Sequence, residues 1–260
     1  MVLVLTSFSM LCSGCKDTRQ RPINVIGSTS IQPFAELLAE EFHTTKPAAN
    51  VDVQGGGSTA GLQALANGIA NIAMCSRSLN KEEEVLFTPI VIARDGLAVI
   101  VHRTNTVNEL SSQQIQMLFS GQISNWKQVG GENKPVRLIM REEGSGTREA
   151  FVNLVMDNIR VSRKALVQES NGAVKELVKN DPAAIGYMSL GLVGEQLKVI
   201  SVDGIGPTVA EVSADRYRLS RPFLFVVKAD LRPEAKQFID FVLSAEGQRL
   251  LEIEGLVRAK

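Results

Sequence analysis

Three times along this chain a short apolar run breaks into a loop of Gly, Ser and Thr and then into a helical pattern. The loops are Gly27-Ser28-Thr29-Ser30, Gly57-Ser58-Thr59 and Gly144-Ser145-Gly146-Thr147. Strands that alternate with helices pair largely in parallel, with the helices on the faces of the sheet, so the pattern predicts an α/β fold. Residues 23–26, 51–54, 72–74, 97–102, 136–140, 185–188 and 223–227 read as strands. Amphipathic spacing predicts helices over 31–43, 58–67, 147–155, 171–179, 233–244 and 246–253, the first with Pro33 in its opening turn. Gly204–Pro207 reads as a surface loop.

The repeated loop has a chemical purpose. A helix N-terminus presents backbone N–H groups without intrahelical partners and the positive end of the helix dipole. Glycine lets a ligand approach the backbone, and Ser and Thr hydroxyls add donors. Together they suit a small tetrahedral anion. Any single loop of this kind is most simply an N-cap. Three of them, each after a strand, point to a site, because ligands of open α/β sheets gather at the carboxyl ends of strands. Two arginines stand beside these loops: Arg141 directly before Glu142-Glu143-Gly144-Ser145, and Arg77 directly after Ser76. A guanidinium offers paired donors matched to an oxyanion.

Other function classes find little support. The formal net charge is +0, so there is no basic footprint for nucleic acid, and an anion must be held by local groups. The histidines are His43 and His102, and no Cys/His cluster has metal-ligand spacing, so no metal or cofactor is expected. Neither Ser58 nor Ser145 lies in a G-x-S-x-G context, and there is no P-loop. A phosphate-ester hydrolase using His102 as base is the enzymatic alternative, and nothing pairs that histidine with a nucleophile. No catalytic residue is assigned.

The N-terminus differs from the rest. Residues 1–14 carry no charge and end in Leu11-Cys12-Ser13-Gly14-Cys15, followed by the polar stretch 16–21. The run is too short to span a bilayer and suits the core of a secretory signal. It resembles a bacterial lipobox, with Cys15 lipidated and 1–15 as the signal region. Basic residues before the core are missing, and Cys12 stands where Leu is usual. An ordinary secretory signal cleaved nearby is the alternative. With Cys12 removed and Cys15 acylated, only Cys75 remains, read as a small buried hydrophobe.

The ordered motifs make a more specific case. They are Gly27-Ser28-Thr29-Ser30 with Pro33, Gln54-Gly55-Gly56-Gly57-Ser58, Ser76-Arg77-Ser78-Leu79, Phe119-Ser120-Gly121 with Asn125-Trp126, and Gly130-Gly131. Arg141-Glu142-Glu143-Gly144-Ser145-Gly146-Thr147-Arg148 and Ile185-Gly186-Tyr187 complete the set. In this order the chain resembles the PstS family, the phosphate-binding proteins of ABC importers, over nearly all of its length after the signal. The resemblance implies a two-lobed type II periplasmic-binding-protein fold with a hinge and an anion cleft between the lobes. Lobe 1 would be 22–97 plus 221–260 and lobe 2 would be 98–220.

The resemblance also implies that inorganic phosphate is held by Ser30 with the backbone of Ile31, and by Ser58, Arg141, Ser145, Gly146 and Thr147. Thr29 and Ser28 lie alongside. Some members carry an Asp, which accepts the ligand's proton, where this chain has Arg77. Asp95 is then the first candidate for that acceptor and Glu142 the second, with a structural ion pair to Arg94 or Arg77 as the alternative role of Asp95. The implied partners are the permease subunits of an ABC importer and the membrane, through a lipid anchor at Cys15. The protein would act as a monomer in the periplasm or on the outer face of the membrane. A binding protein for sulfate, molybdate or tungstate is the alternative ligand reading.

Overall fold

The structure is a computed structural model and describes residues 21–259. The strands are β1 (Ile23–Gly27), β2 (Val51–Gly55), β3 (Ile72–Cys75), β4 (Thr88–His102), β5 (Glu109–Leu110) and β6 (Arg137–Arg141). They continue with β7 (Leu166–Gln168), β8 (Ala184–Ser189), β9 (Leu197–Val199), β10 (Ser201–Val202), β11 (Ser220–Val227) and β12 (Val257–Arg258). The helices are α1 (Gln32–Thr45), α2 (Ser58–Ala66), α3 (Lys81–Leu86), α4 (Ser112–Ser120) and α5 (Gly146–Phe151). After them come α6 (Asn171–Asn180), α7 (Val209–Ser213), α8 (Pro233–Val242) and α9 (Ala245–Ile253).

The main sheet has the order β2-β1-β3-β11-β4-β8-β6-β7. Its β2-β1-β3 and β8-β6-β7 ends are parallel, as strands joined through helices must be, and β11 and β8 run antiparallel to β4. Strand β4 is the backbone of the molecule. Its first part pairs with β11 from Thr88 to Gly96, and its second pairs with β8 from Leu97 to Val101.

Each part of β4 carries its own core. On one side, the i, i+4, i+8 stripe Phe34, Leu38 and Phe42 of α1 packs against β11 and α8. Phe34 lies 6.0 Å from Phe223 and Phe42 5.4 Å from Phe238, ring centroid to centroid. Burial of each such ring contributes about 1.5–3 kcal/mol. On the other side, Leu97, Val99 and Val101 pack with Phe119, Trp126, Phe151 and Tyr187. Cys75 is fully buried beside Leu62, Leu65 and Leu224, as a small hydrophobe would be.

Two elements differ from the sequence pattern. The strand expected at 97–102 begins nine residues earlier, at Thr88. Pro89 and Arg94-Asp95-Gly96 argue against a strand locally, but Asp95 faces Arg221 across the β4–β11 ladder, and that pairing makes a buried charge tolerable. The helix expected over 147–155 is α5 followed by a wider π turn, Val152–Met156, ended by Asp157 in the left-handed region (φ 42°).

Candidate anion-binding site

The first loop is built on glycine. Gly27 has φ 146°, and a Cβ there would stand 2.3 Å from the Met74 carbonyl oxygen, so no side chain fits where β1 turns away. The Ser28 N–H donates to that same carbonyl at 2.9 Å. The Ser28 carbonyl accepts from the N–H groups of Ile31 (3.1 Å) and Gln32 (3.0 Å), which closes the turn into α1. The Ser28 hydroxyl accepts from Ser30 N–H (3.2 Å) and donates to the Ser76 hydroxyl (2.9 Å). Ser58 opens α2, and its Oγ accepts from the Ser76 N–H at 3.1 Å. The ends of β1, β2 and β3 thus bring Ser28, Ser30, Ser58 and Ser76, all buried, into one group.

The third loop is set by an aromatic stack. Phe151 and Tyr187 lie face to face, 4.0 Å apart with 4° between their planes. The Tyr187 hydroxyl accepts from the Arg141 N–H at 3.3 Å, so the stack fixes the last residue of β6. Burial pushes the Tyr187 hydroxyl up to about 12. Ser145 caps α5, its Oγ accepting from Arg148 N–H at 3.3 Å. Gly146 and Thr147 follow, in the first turn where helix geometry leaves N–H groups unpaired.

These two sets meet. The Ser30 and Thr147 hydroxyls are 2.7 Å apart, and Thr59 N–H donates to the Gly144 carbonyl at 3.1 Å. Arg141 Nη2 donates to Thr29 Oγ1 at 3.1 Å. A Cβ on Gly146 would stand 2.3 Å from Ser58 Oγ and 2.8 Å from Ser76 Oγ. The Arg141 side chain is 1% exposed, and Glu142 takes its Nε (2.8 Å) and Nη2 (2.9 Å). Its third nitrogen, Nη1, is buried and has no hydrogen-bond partner. Thr29, Ser30, Ser58, Arg141, Ser145, Gly146 and Thr147 therefore converge as the loops implied.

Three expectations change. The Ile31 amide closes the turn onto Ser28 instead of standing free for a ligand. Arg77 turns to other partners. Its Nη1 and Nη2 bond both oxygens of Glu83 (2.7 and 2.8 Å), and its Nε lies 2.5 Å from Glu149 of α5. The Arg77 hydrogen bond holds the Glu83 carboxyl below its ordinary range, while burial pushes Glu149 up. Asp95 is a fully engaged acceptor. It takes Arg221 Nε (3.0 Å) and Nη2 (2.9 Å) and the Ser189 hydroxyl (2.8 Å). Burial pushes its carboxyl up, and Arg221 opposes the shift. Its partner is neither Arg94, which bonds Asp215, nor Arg77.

Two residues that the sequence did not single out belong to the cluster. Arg221 Nη2 donates to Ser30 Oγ at 3.3 Å, and Asn171 Nδ2 donates to the same oxygen at 2.7 Å. A charged residue heading the apolar run 223–227 was the available signal for Arg221; Asn171 had none beyond its place at the start of a helix.

Comparison with known proteins fits this arrangement. A family model described as a PBP superfamily domain matches residues 16–246. A putative phosphate ABC transporter substrate-binding protein from Clostridium perfringens, solved with bound phosphate, is 37% identical with a TM-score of 0.90. The match covers 92% of this chain and 100% of that one. The chain belongs to the PstS family. Other PstS-family likenesses are consistent. An ABC-type phosphate transport receptor from Vibrio cholerae is 37% identical with a TM-score of 0.77, over 91% of this chain and 100% of that one. The phosphate-binding protein PstS of Bacillus subtilis is 26% identical over 96% of this chain and 89% of its own length. The fold is the type II periplasmic-binding-protein fold of these PstS-family structures.

Proposed function

We propose that this chain binds inorganic phosphate in the cluster between β1–α1, β2–α2 and β6–α5 and delivers it to the membrane subunits of an ABC importer. The observation that carries this is Arg141 Nη1, a buried cationic donor without a partner, among the hydroxyls and helix starts of three loops. A buried charged donor without an acceptor is costly, and an oxyanion is the acceptor that such a set completes. The lobes are 22–97 with 221–260, and 98–220. The Asp95–Arg221 pair stands where β4 and β11 run between them.

The protein works by binding alone. Neither histidine serves a site hydroxyl: His43 Nδ1 bonds the Ala49 carbonyl oxygen and His102 Nδ1 bonds Thr104 Oγ1. Cys15, which lies outside the described residues, anchors the monomer outside the cytoplasmic membrane. Isothermal titration with phosphate, sulfate and molybdate tests the ligand. Phosphate binding tightest is the expected result, and a preference for either other anion overturns the assignment.

A further inference from the structure

The Ser30 hydroxyl has no choice of direction. A hydroxyl oxygen has two lone pairs and one hydrogen. Here both lone pairs are taken by groups that can only donate, Asn171 Nδ2 at 2.7 Å and Arg221 Nη2 at 3.3 Å. Asn171 is itself oriented, since its Oδ1 accepts the Ser189 N–H at 3.4 Å. Arg221 is oriented by Asp95, which also accepts the Ser189 hydroxyl. Asp95, Ser189, Asn171, Ser30 and Arg221 form one closed ring of polar groups, none more than 4% exposed. The Ser30 hydrogen therefore points out of the ring. Thr147 Oγ1, 2.7 Å away, lies on the acceptor side, and its own hydrogen must then be given onward. Chains of this kind polarise one another in the same direction.

We propose that Asn171 and Arg221 are positioning residues that fix the direction of the Ser30 hydroxyl, so that it can only donate where the Ser30–Thr147 corner meets an unprotonated oxygen of phosphate. This rests on the phosphate reading above. Asn171 reaches Ser30 from α6 and Arg221 from β11, so the lock is complete only when both halves of the molecule are together. A ligand hydroxyl aimed at Ser30 brings a hydrogen that this oxygen cannot accept, and an unmatched donor in a buried site is costly. The charged groups around the corner are Arg221 with Asp95 and Arg141 with Glu142, and the Tyr187 hydroxyl stands behind Arg141.

The test is phosphate titration of the full chain with wild type, Asn171→Ala, Ser30→Ala and the double variant. Asn171→Ala frees a lone pair on Ser30 and lets the hydroxyl turn, so affinity should fall about fivefold. In the Ser30→Ala background the same substitution should change nothing further, because Asn171 acts through Ser30. Wild-type affinity in Asn171→Ala, or full additivity of the two losses, overturns the lock. Wild-type protein that does not bind phosphate overturns the phosphate reading itself, and the lock with it.

Discussion

A methyl group on Gly146 would reach within 2.3 Å of the Ser58 hydroxyl, on the opposite wall of the cluster. The clash is with a short buried side chain, so either the walls separate or α5 shifts. Gly146→Ala should therefore lower phosphate affinity about tenfold, within the roughly 1–3 kcal/mol of overpacking; titration checks it, and wild-type affinity would place Gly146 away from the ligand. Arg141 acts on the ligand directly. Arg141→Ala should weaken phosphate binding by about 2–5 kcal/mol, the range for losing one partner of a buried charge pair. Ser145→Ala should cost less, about 1–3 kcal/mol. Wild-type affinity in Arg141→Ala would remove the third loop from the site.

At the scale of elements, β4 and β11 do two jobs. They divide their pairing between two cores, and at Asp95–Arg221 they hold an ion pair whose side chains are 0% and 2% exposed. Removing one partner of a buried pair leaves the other charge uncompensated. Asp95→Asn should therefore destabilise the fold by about 3–5 kcal/mol, read by urea unfolding. A ligand-facing acceptor would behave differently, changing anion preference with little effect on folding. Arg77 belongs to the elements too. It ties the end of β3 to α3 through Glu83, which a capping box with Asn80 holds in place, and it touches α5 through Glu149.

For the whole molecule, the proposed lobes meet through Thr59–Gly144, Ser30–Thr147, Asn171–Ser30 and Arg77–Glu149. All four pairs lie far apart in sequence and join the two halves at the cluster. Phosphate should therefore shift the solution population toward the compact form, measured as a fall in radius of gyration by small-angle scattering; an unchanged radius over the titration would argue for a rigid molecule. Anchoring is a separate property of the whole chain. Cys15→Ala should move the protein from the membrane fraction to the soluble one. Full retention on the membrane would count against the lipid anchor.

Much of this molecule was readable from local pattern. The three Gly/Ser/Thr loops, the Phe34–Leu38–Phe42 stripe and the Arg141-x-x-Gly-Ser-Gly-Thr run depend on neighbours within a few residues. Backbone sterics, capping and helical spacing act at that range, so type and place of the elements follow from composition along the chain. Arg141 and Arg77 show where this stops. Both follow a strand, and both looked able to hold an anion, yet Arg141 reaches Thr29 of the first loop while Arg77 is turned to Glu83 and Glu149. Asn171 and Arg221 reach Ser30 across 141 and 191 residues of chain. Sheet order and the approach of the two halves bring such groups together, and no local periodicity encodes them. The same holds for the path of β4, where Asp95 is tolerated in a strand only because β11 sets Arg221 opposite it.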